Sequence, residues 1–357
     1  MLKENVIHIG NTEEEGLMKV SFSKLKTWRR CKRQWFYKYI EEIKKKEQAV
    51  PLKRGSWVHE SLESHNRTGN WKTGFLKYKK ENWDNLFDEE KEMYGDMPKE
   101  VAELVQKYLM QADDEREIIS AELEYFIRVP NTLIVLTGKI DLIYRNAMGI
   151  WALDYKTCKS FPKEEVRTFD IQLALYYAVV KMILLELKID EEVVGVAYEY
   201  LRTKPPTVPR LLKNGELSKA KNIDTDWYTY KKAIKENGLD VNDYLDMKEL
   251  LKTNTYFQTS LVPKSQKLVS TLLKELIVSG EEMQESRINW LSDQAFNTHT
   301  TTFTRNMTKD CGWDCEFRNI CYGELMGEDT TMMRELEFES RKREEEDDEN
   351  GNNEQGD

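Results

Sequence analysis

Apolar positions along the chain change period several times, and each change marks a predicted element. From residue 21, Leu25, Trp28, Cys31, Trp35 and Tyr39 recur at spacings of three and four. That is one face of a helix, which Ser21 or Ser23 can cap, so Cys31 points inward with the aromatics. A second helix is predicted from near Gly55, carrying Val58, His59, Leu62 and Glu63, and residues 70–116 read as mostly helical without a chemical signal. From residue 123 the pattern shifts to short β-rich runs, over 123–129, 133–137, 139–144 and 150–155, with Pro130-Asn131 and residues 146–149 as turns. Such runs predict an antiparallel meander.

A long helix over about 169–187 and a strand over about 193–201 follow. The order of helix, strands, helix, strand predicts an α/β or α+β sandwich with a central mixed sheet flanked by helices. Three prolines between Thr203 and Arg210 break regular structure. The polar, mainly helical stretch after them, about 211–290, reads as an elaboration packed against the core. No internal repeat is evident.

Composition changes this picture at the two ends. The formal charge is −10, but residues 335–357 hold eleven acids against three bases, so nearly all of it belongs to the C-terminus. That segment has almost no apolar residue after Phe338, too little to offset its ordering entropy, and a disordered tail over 331–357 is predicted. Residues 1–20 read as a lead-in. Near the start, ten Lys or Arg between Lys24 and Lys46 alternate with Trp28, Trp35, Phe36, Tyr37 and Tyr39. Arg29, Arg30, Lys32 and Arg33 are the candidate contacts to a nucleic-acid backbone, the other reading being a solvated basic face. The longest apolar stretch, 173–187, is interrupted by Lys181 and falls short of the roughly 20 residues a membrane span needs. No secretory signal is recognisable at the N-terminus, which predicts a reducing cytoplasm and free thiols.

The most informative segment is GKIDLIYRNAMGIWALDYKT, Gly138 to Thr157. Asp141 and Asp154 fall on adjacent hairpin strands, and period-two alternation puts Asp154 and Lys156 on one face. Burying an acid and a lysine among Ile150, Trp151, Ala152 and Leu153 is costly unless something pairs with them. A divalent cation held by two carboxylates, with the lysine near a phosphate, resolves that cost; a cross-strand ion pair is the bland alternative.

The wider pattern, Gly-x-x-Asp, then Asp-Tyr-Lys-Thr, then Gln172, Leu173 and Tyr176 on a following helix, resembles the RecB-type branch of the PD-(D/E)xK nucleases, whose fold is restriction-endonuclease-like. His59, in RGSWVHESLE, matches the histidine of an upstream helix in that branch. The resemblance runs from Ser21 to about Glu324, so a nuclease domain over 21–330 is expected. It implies that Asp141 and Asp154 ligate Mg²⁺ or Mn²⁺, with His59 and the main-chain carbonyl of Tyr155 as further ligands. Lys156 would act on the attacking water and the phosphate, and Gln172 and Tyr176 would lean over the site from one helix face. An acid on the first strand recurs in the family; Glu122 and Glu124 both qualify, with Glu122 preferred. The run HESLE is not a zinc-protease motif, because position 63 is Glu63 where histidine is required.

Cys311, Cys315 and Cys321 lie within eleven residues, and Cys31 is the remaining cysteine on an inward face. Three clustered thiols and one distant one suit a cytosolic metal site, either tetrahedral zinc or an iron–sulfur cluster. The resemblance selects the latter, since AddB-type and CRISPR-associated RecB-like exonucleases hold a [4Fe–4S] cluster with one early and three late cysteines. The three residues between Cys311 and Cys315 depart from the usual two. Cys158 has no partner in the pattern and reads as filler. Together these readings predict a DNA exonuclease acting on single strands or duplex ends in recombination, repair or phage DNA metabolism. A helicase or recombination protein would supply unwinding, since no Walker A motif is present. The alternatives are an inactive DNA-binding scaffold on the same fold and a zinc-stabilised interaction protein.

Overall fold

The computed structural model describes residues 5–112, 116–163, 171–263, 265–296 and 302–341. Two short strands, β1 (Val6–Ile9) and β2 (Met18–Val20), precede helices α1 (Phe22–Arg30) and α2 (Lys32–Tyr39) and strand β3 (Ile43–Lys45). Four helices follow: α3 (Val50–Thr68), α4 (Trp71–Asn82), α5 (Asp88–Tyr94) and α6 (Met97–Leu109). The long strands are β4 (Glu117–Arg128), β5 (Ile134–Asn146) and β6 (Gly149–Cys158). Then come α7 (Ile171–Glu186), β7 (Val193–Arg202), α8 (Trp227–Glu236), α9 (Leu245–Leu251), β8 (Phe257–Pro263), α10 (Gln266–Phe296), α11 (Arg318–Met326), α12 (Thr331–Glu337) and β9 (Phe338–Ser340).

Seven strands form one mixed sheet in the order β1-β4-β5-β6-β7-β8, with β2 also paired to β5. The β4–β5–β6 meander is antiparallel, whereas β6 and β7 run parallel across the α7 crossover. Parallel strands need such a crossover, and α7 supplies it as a nearly all-apolar helix buried against the sheet. One face of the sheet packs on α1, α2, α7 and α10 through Leu25, Trp35, Leu136, Ala152, Val179 and Leu276. The opposite face packs on α3 and α6 through Trp57, Val58, Leu62, Val101, Leu142 and Leu153. This is the predicted α/β fold, a restriction-endonuclease-like core with helical additions. No described helix is long and apolar enough to cross a membrane.

Several boundaries differ from the sequence reading. The first predicted helix is two, because Cys31 adopts an extended backbone (φ −165°, ψ 117°) between α1 and α2. The runs 133–137 and 139–144 are one strand, with Gly138 inside it. A Cβ there would lie 2.5 Å from the Tyr125 hydroxyl, so a bare backbone is needed for the β4–β5 approach rather than for a turn. The lead-in is part of the sheet, since β1 pairs with β4 and β2 with β5. The 211–290 elaboration likewise contributes β8, which closes the β7 edge. Finally, the segment 331–340 is ordered: Phe338 is buried against Phe317, and β9 pairs antiparallel with β3. The aromatic anchor and the strand partner are joined there by ion pairs of Arg334 with Glu41 and Glu324, so part of the charge is used in holding the segment. The remainder of the acidic tail, and residues 169–170 of the predicted long helix, lie outside the described residues.

Candidate active site

The site forms where three strands and two helices meet. In the β4–β5 register Ala121 faces Leu142 and Leu123 faces Ile140, which leaves Glu122 and Asp141 across from each other between these pairs. Glu122 takes a left-handed backbone angle (φ +54°), rare for a residue with a side chain and kept where surrounding structure enforces it. Its carboxylate reaches a group with Asp141 and His59 of α3 in which one ligand atom from each lies within 4.8 Å of the others. His59 Nδ1 is 3.3 Å from Asp141 Oδ2, and that oxygen also accepts the Tyr155 backbone N–H at 2.7 Å. His59 in turn hydrogen-bonds the Tyr155 main chain, so the backbone at 155 borders the cluster.

Asp154 and Lys156 occupy the same face of β6, as period-two alternation requires. Asp154 is 2% exposed. Its Oδ1 accepts a hydrogen bond from Gln172 Nε2 at 3.0 Å, and Lys156 Nζ stands 2.6 Å from Oδ2 without hydrogen-bond geometry. On α7, Gln172 and Tyr176 lie one turn apart; Gln172 also donates to the Tyr176 hydroxyl at 3.0 Å, and that hydroxyl donates to the Lys139 carbonyl at 2.8 Å. Thus Asp141, Asp154, Lys156, His59, Gln172 and Tyr176 all converge. Of the two acids left open on β4, Glu122 is buried in the cluster and Glu124 is exposed.

Sequence reasoning missed Lys139 and Glu63. Lys139 Nζ lies 2.9 Å from Glu122 Oε2 and 3.6 Å from Glu63 Oε2. The available signal was spacing: Lys139 precedes Asp141 by two on one strand, and Glu63 follows His59 by four on one helix face.

Burial dominates the electrostatics. It pushes the Asp141 carboxyl well above the usual carboxylate range, with the charge of Asp154 adding to it. Burial raises Glu122 too, with Asp141 adding and Lys139 opposing. Burial lowers His59, holding it neutral and able to ligate, although Asp154 and Glu122 pull the other way. Three acids, Glu122, Asp141 and Asp154, packed with one neutral imidazole and faced by two lysines, Lys139 and Lys156, form a set of hard donors with more acids than cations. Such a set fits Mg²⁺ or Mn²⁺.

The cations proposed for DNA on α1 and α2 are placed differently from expectation. Arg29 bonds to Ser279 and the Glu275 carbonyl, Arg30 pairs with Asp314 at 3.0 Å, and Arg33 pairs with Glu324. Lys32 covers the Trp28 ring at 4.6 Å. Helix periodicity shows where a side chain points but not which acid from 250 residues away meets it.

Cys31, Cys311, Cys315 and Cys321 line one small cavity together, whereas Cys158 packs at the edge of the core. No three of the four thiol sulfurs come within 4.8 Å of one another. The Asn306 N–H donates to Cys31 Sγ at 3.5 Å and Arg305 Nε to Cys321 Sγ at 3.3 Å, so one short segment ties the early cysteine to a late one. Behind them Glu324 accepts from Arg33, Tyr37, Arg305 and Arg334.

A family model described as the PD-(D/E)XK nuclease superfamily matches residues 19–322. No curated protein matches the chain.

Proposed function

The chain belongs to the PD-(D/E)XK nuclease superfamily, and from that premise we propose that it is a metal-dependent DNA exonuclease of the RecB-like branch. One observation carries the reading: His59, Glu122 and Asp141 converge within 4.8 Å of one another beside Asp154 and Lys156. Asp141, Asp154 and Glu122, with His59 and the Tyr155 carbonyl, would hold Mg²⁺ or Mn²⁺. When bound, the ion supplies Lewis-acid polarisation of a phosphate oxygen and a more acidic water.

The chain's own groups do the rest. Lys156, half-exposed on the open side of Asp154, orients the attacking water and neutralises charge building on the phosphate. Gln172 fixes the Asp154 carboxylate through Oδ1, leaving Oδ2 for the site, and Tyr176 braces Gln172 against the β5 backbone. Lys139 holds Glu122 in its strained position and balances its charge. Neither a helix-turn-helix nor a zinc finger is apparent, which favours processing of ends over reading of a sequence. Unwinding would fall to a partner helicase or recombination protein.

For the cysteines, we infer a [4Fe–4S] cluster. What supports the reading is the resemblance in cysteine order, one early and three late, and the cavity that all four line together.

The test is digestion of end-labelled linear and closed circular DNA with Mg²⁺ or Mn²⁺ and with EDTA. Loss of the linear form alone, only with metal, is the expected result. Equal nicking of closed circles replaces exonuclease by endonuclease. No cleavage of either, or cleavage that survives Asp154→Asn, overturns the assignment.

A further inference from the structure

With Arg29, Arg30 and Arg33 committed to groups within the chain, other cations are left over. Lys19, Lys24 and Arg287 have no carboxylate within 4.0 Å among the described residues. All three line a cavity of about 320 Å³ between β2, α1, α2 and α10, together with the aromatic rings of Trp35, Tyr39 and Trp290. Lys24 Nζ donates to the Lys19 carbonyl at 3.1 Å, and it stands 5.4 Å from the Tyr39 ring centroid. Arg341 adds a fourth cation, its guanidinium 5.1 Å from the same ring. One acid, Glu42, lines the cavity.

One feature of this group is unfavourable as it stands. Cations gathered in a half-buried place repel one another, and the strain falls on Lys24. Burial lowers its pKa to about 8, the charges of Arg341, Lys19 and Arg287 add to the effect, and Glu42 opposes it. An anionic oxygen in the cavity would answer this crowding of positive charge.

We propose that this cavity is a phosphate-binding site, and that its occupant is a backbone phosphate of the DNA strand leading to the carboxylate centre. The guanidinium of Arg287 offers paired donors and Lys24 a point charge, the usual combination for phosphate. The aromatic walls suit an attached sugar or base. The site is separate from the metal ligands: Lys19 sits opposite Val135, six residues along β5 from Asp141, or roughly 20 Å at about 3.4 Å per residue. Identifying the phosphate as DNA rests on the nuclease reading; the site's preference for phosphate does not.

The experiment uses the full chain in EDTA, so that binding is read without cleavage. Tryptophan fluorescence is titrated with a single-stranded oligonucleotide of about ten nucleotides and, separately, with inorganic phosphate. The Lys24→Met/Arg287→Gln variant is expected to bind the oligonucleotide about tenfold more weakly. Its salt dependence should be shallower by about 0.7 in log Kd per log salt, the contribution of one phosphate neutralised on a single strand. Wild-type affinity should also fall as pH rises through about 8, where Lys24 loses its proton, and this fall should disappear in Lys24→Met. Around Lys24 the other charged or titratable groups are Lys19, Tyr39, Glu42, Arg287 and Arg341.

If inorganic phosphate binds in a Lys24-dependent way while oligonucleotide affinity ignores both substitutions, the site takes free phosphate. Unchanged affinity and salt slope for both ligands overturn the proposal. Should the protein cleave no DNA yet keep these effects, the nuclease reading falls and the phosphate site stands. Arg287→Gln alone, at a half-buried position, with its melting temperature measured, guards against an unfolded double variant.

Discussion

The carboxylate cluster and the cysteine cluster are both sets of ligand side chains, but the chain builds them in opposite ways. Glu122, Asp141, Asp154 and Lys156 come from three consecutive strands, and the three acids are at most 8% exposed. Adjacent strands hold them with or without an ion, at the cost of carboxyls buried near one another. The four cysteines are only half-buried, and they join α1–α2 to a segment some 280 residues later. Hydrogen bonds to sulfur from Arg305 and Asn306 orient that junction, but it is the occupant that would close it. On the proposed reading, an ion in the first site would serve chemistry and one in the second would serve the fold.

This contrast breaks if substitutions at the two sites produce the same phenotype. The largest effect expected is on catalysis: Lys156→Ala or Asp154→Asn should cut DNA cleavage by about 10²–10³-fold or more, as loss of a transition-state donor does. Initial rates on labelled DNA measure this, and the melting temperature should hold within a few degrees. A variant keeping more than a tenth of wild-type rate would remove that residue from the catalytic set.

At the second site the order reverses. Cys31→Ser or Cys321→Ser should bleach anaerobically purified protein, release its iron and lower the melting temperature by several degrees, while Cys158→Ser should do neither. Colourless wild-type protein carrying one zinc would replace the cluster but keep the four-thiolate site. If Cys31→Ser changed neither colour nor melting, the site itself would be refuted.

A smaller effect sharpens the comparison through pH. Asp141 and Glu122 have raised pKa values in the metal-free fold, so that fold binds more protons than the unfolded chain. The contribution of these two carboxyls to stability should therefore be full below about pH 4, where both states are protonated, and decline as pH rises through the raised values. Mg²⁺ or Mn²⁺ should abolish the decline, giving a melting-temperature gain that grows with pH. A gain independent of pH between 5 and 8 would mean that these carboxylates do not hold the ion.

The smallest effect belongs to the tail. Truncation after Arg341 keeps α12, β9 and the Phe338 anchor, and should change stability by less than about 0.5 kcal/mol. Because the removed residues are strongly acidic, non-specific DNA affinity at low salt should rise. Truncation after Thr330 should do more harm, since it also deletes the β3–β9 pair and Arg334, which bridges Glu41 and Glu324.

What the sequence alone could determine here was local in the chain. Period-two alternation put Asp154 and Lys156 on one face, period 3.6 put Gln172 beside Tyr176, and the turn residues delimited the β4–β5–β6 meander. Each rests on neighbours a few residues apart, where backbone geometry leaves few choices. The tertiary structure decided everything that depends on partners distant in sequence. It chose Glu122 over Glu124 by burying Glu122 opposite Asp141 with a left-handed backbone, brought His59 from α3 onto Asp141, and recruited residues 6–20 and β8 into the sheet. It also paired Arg30 and Arg33 with acids near the C-terminus, leaving Lys24 and Arg287 without such partners among the described residues. A charge in sequence carries no record of its counter-charge, because ion pairing depends on a distance of a few ångströms that only the packed chain defines.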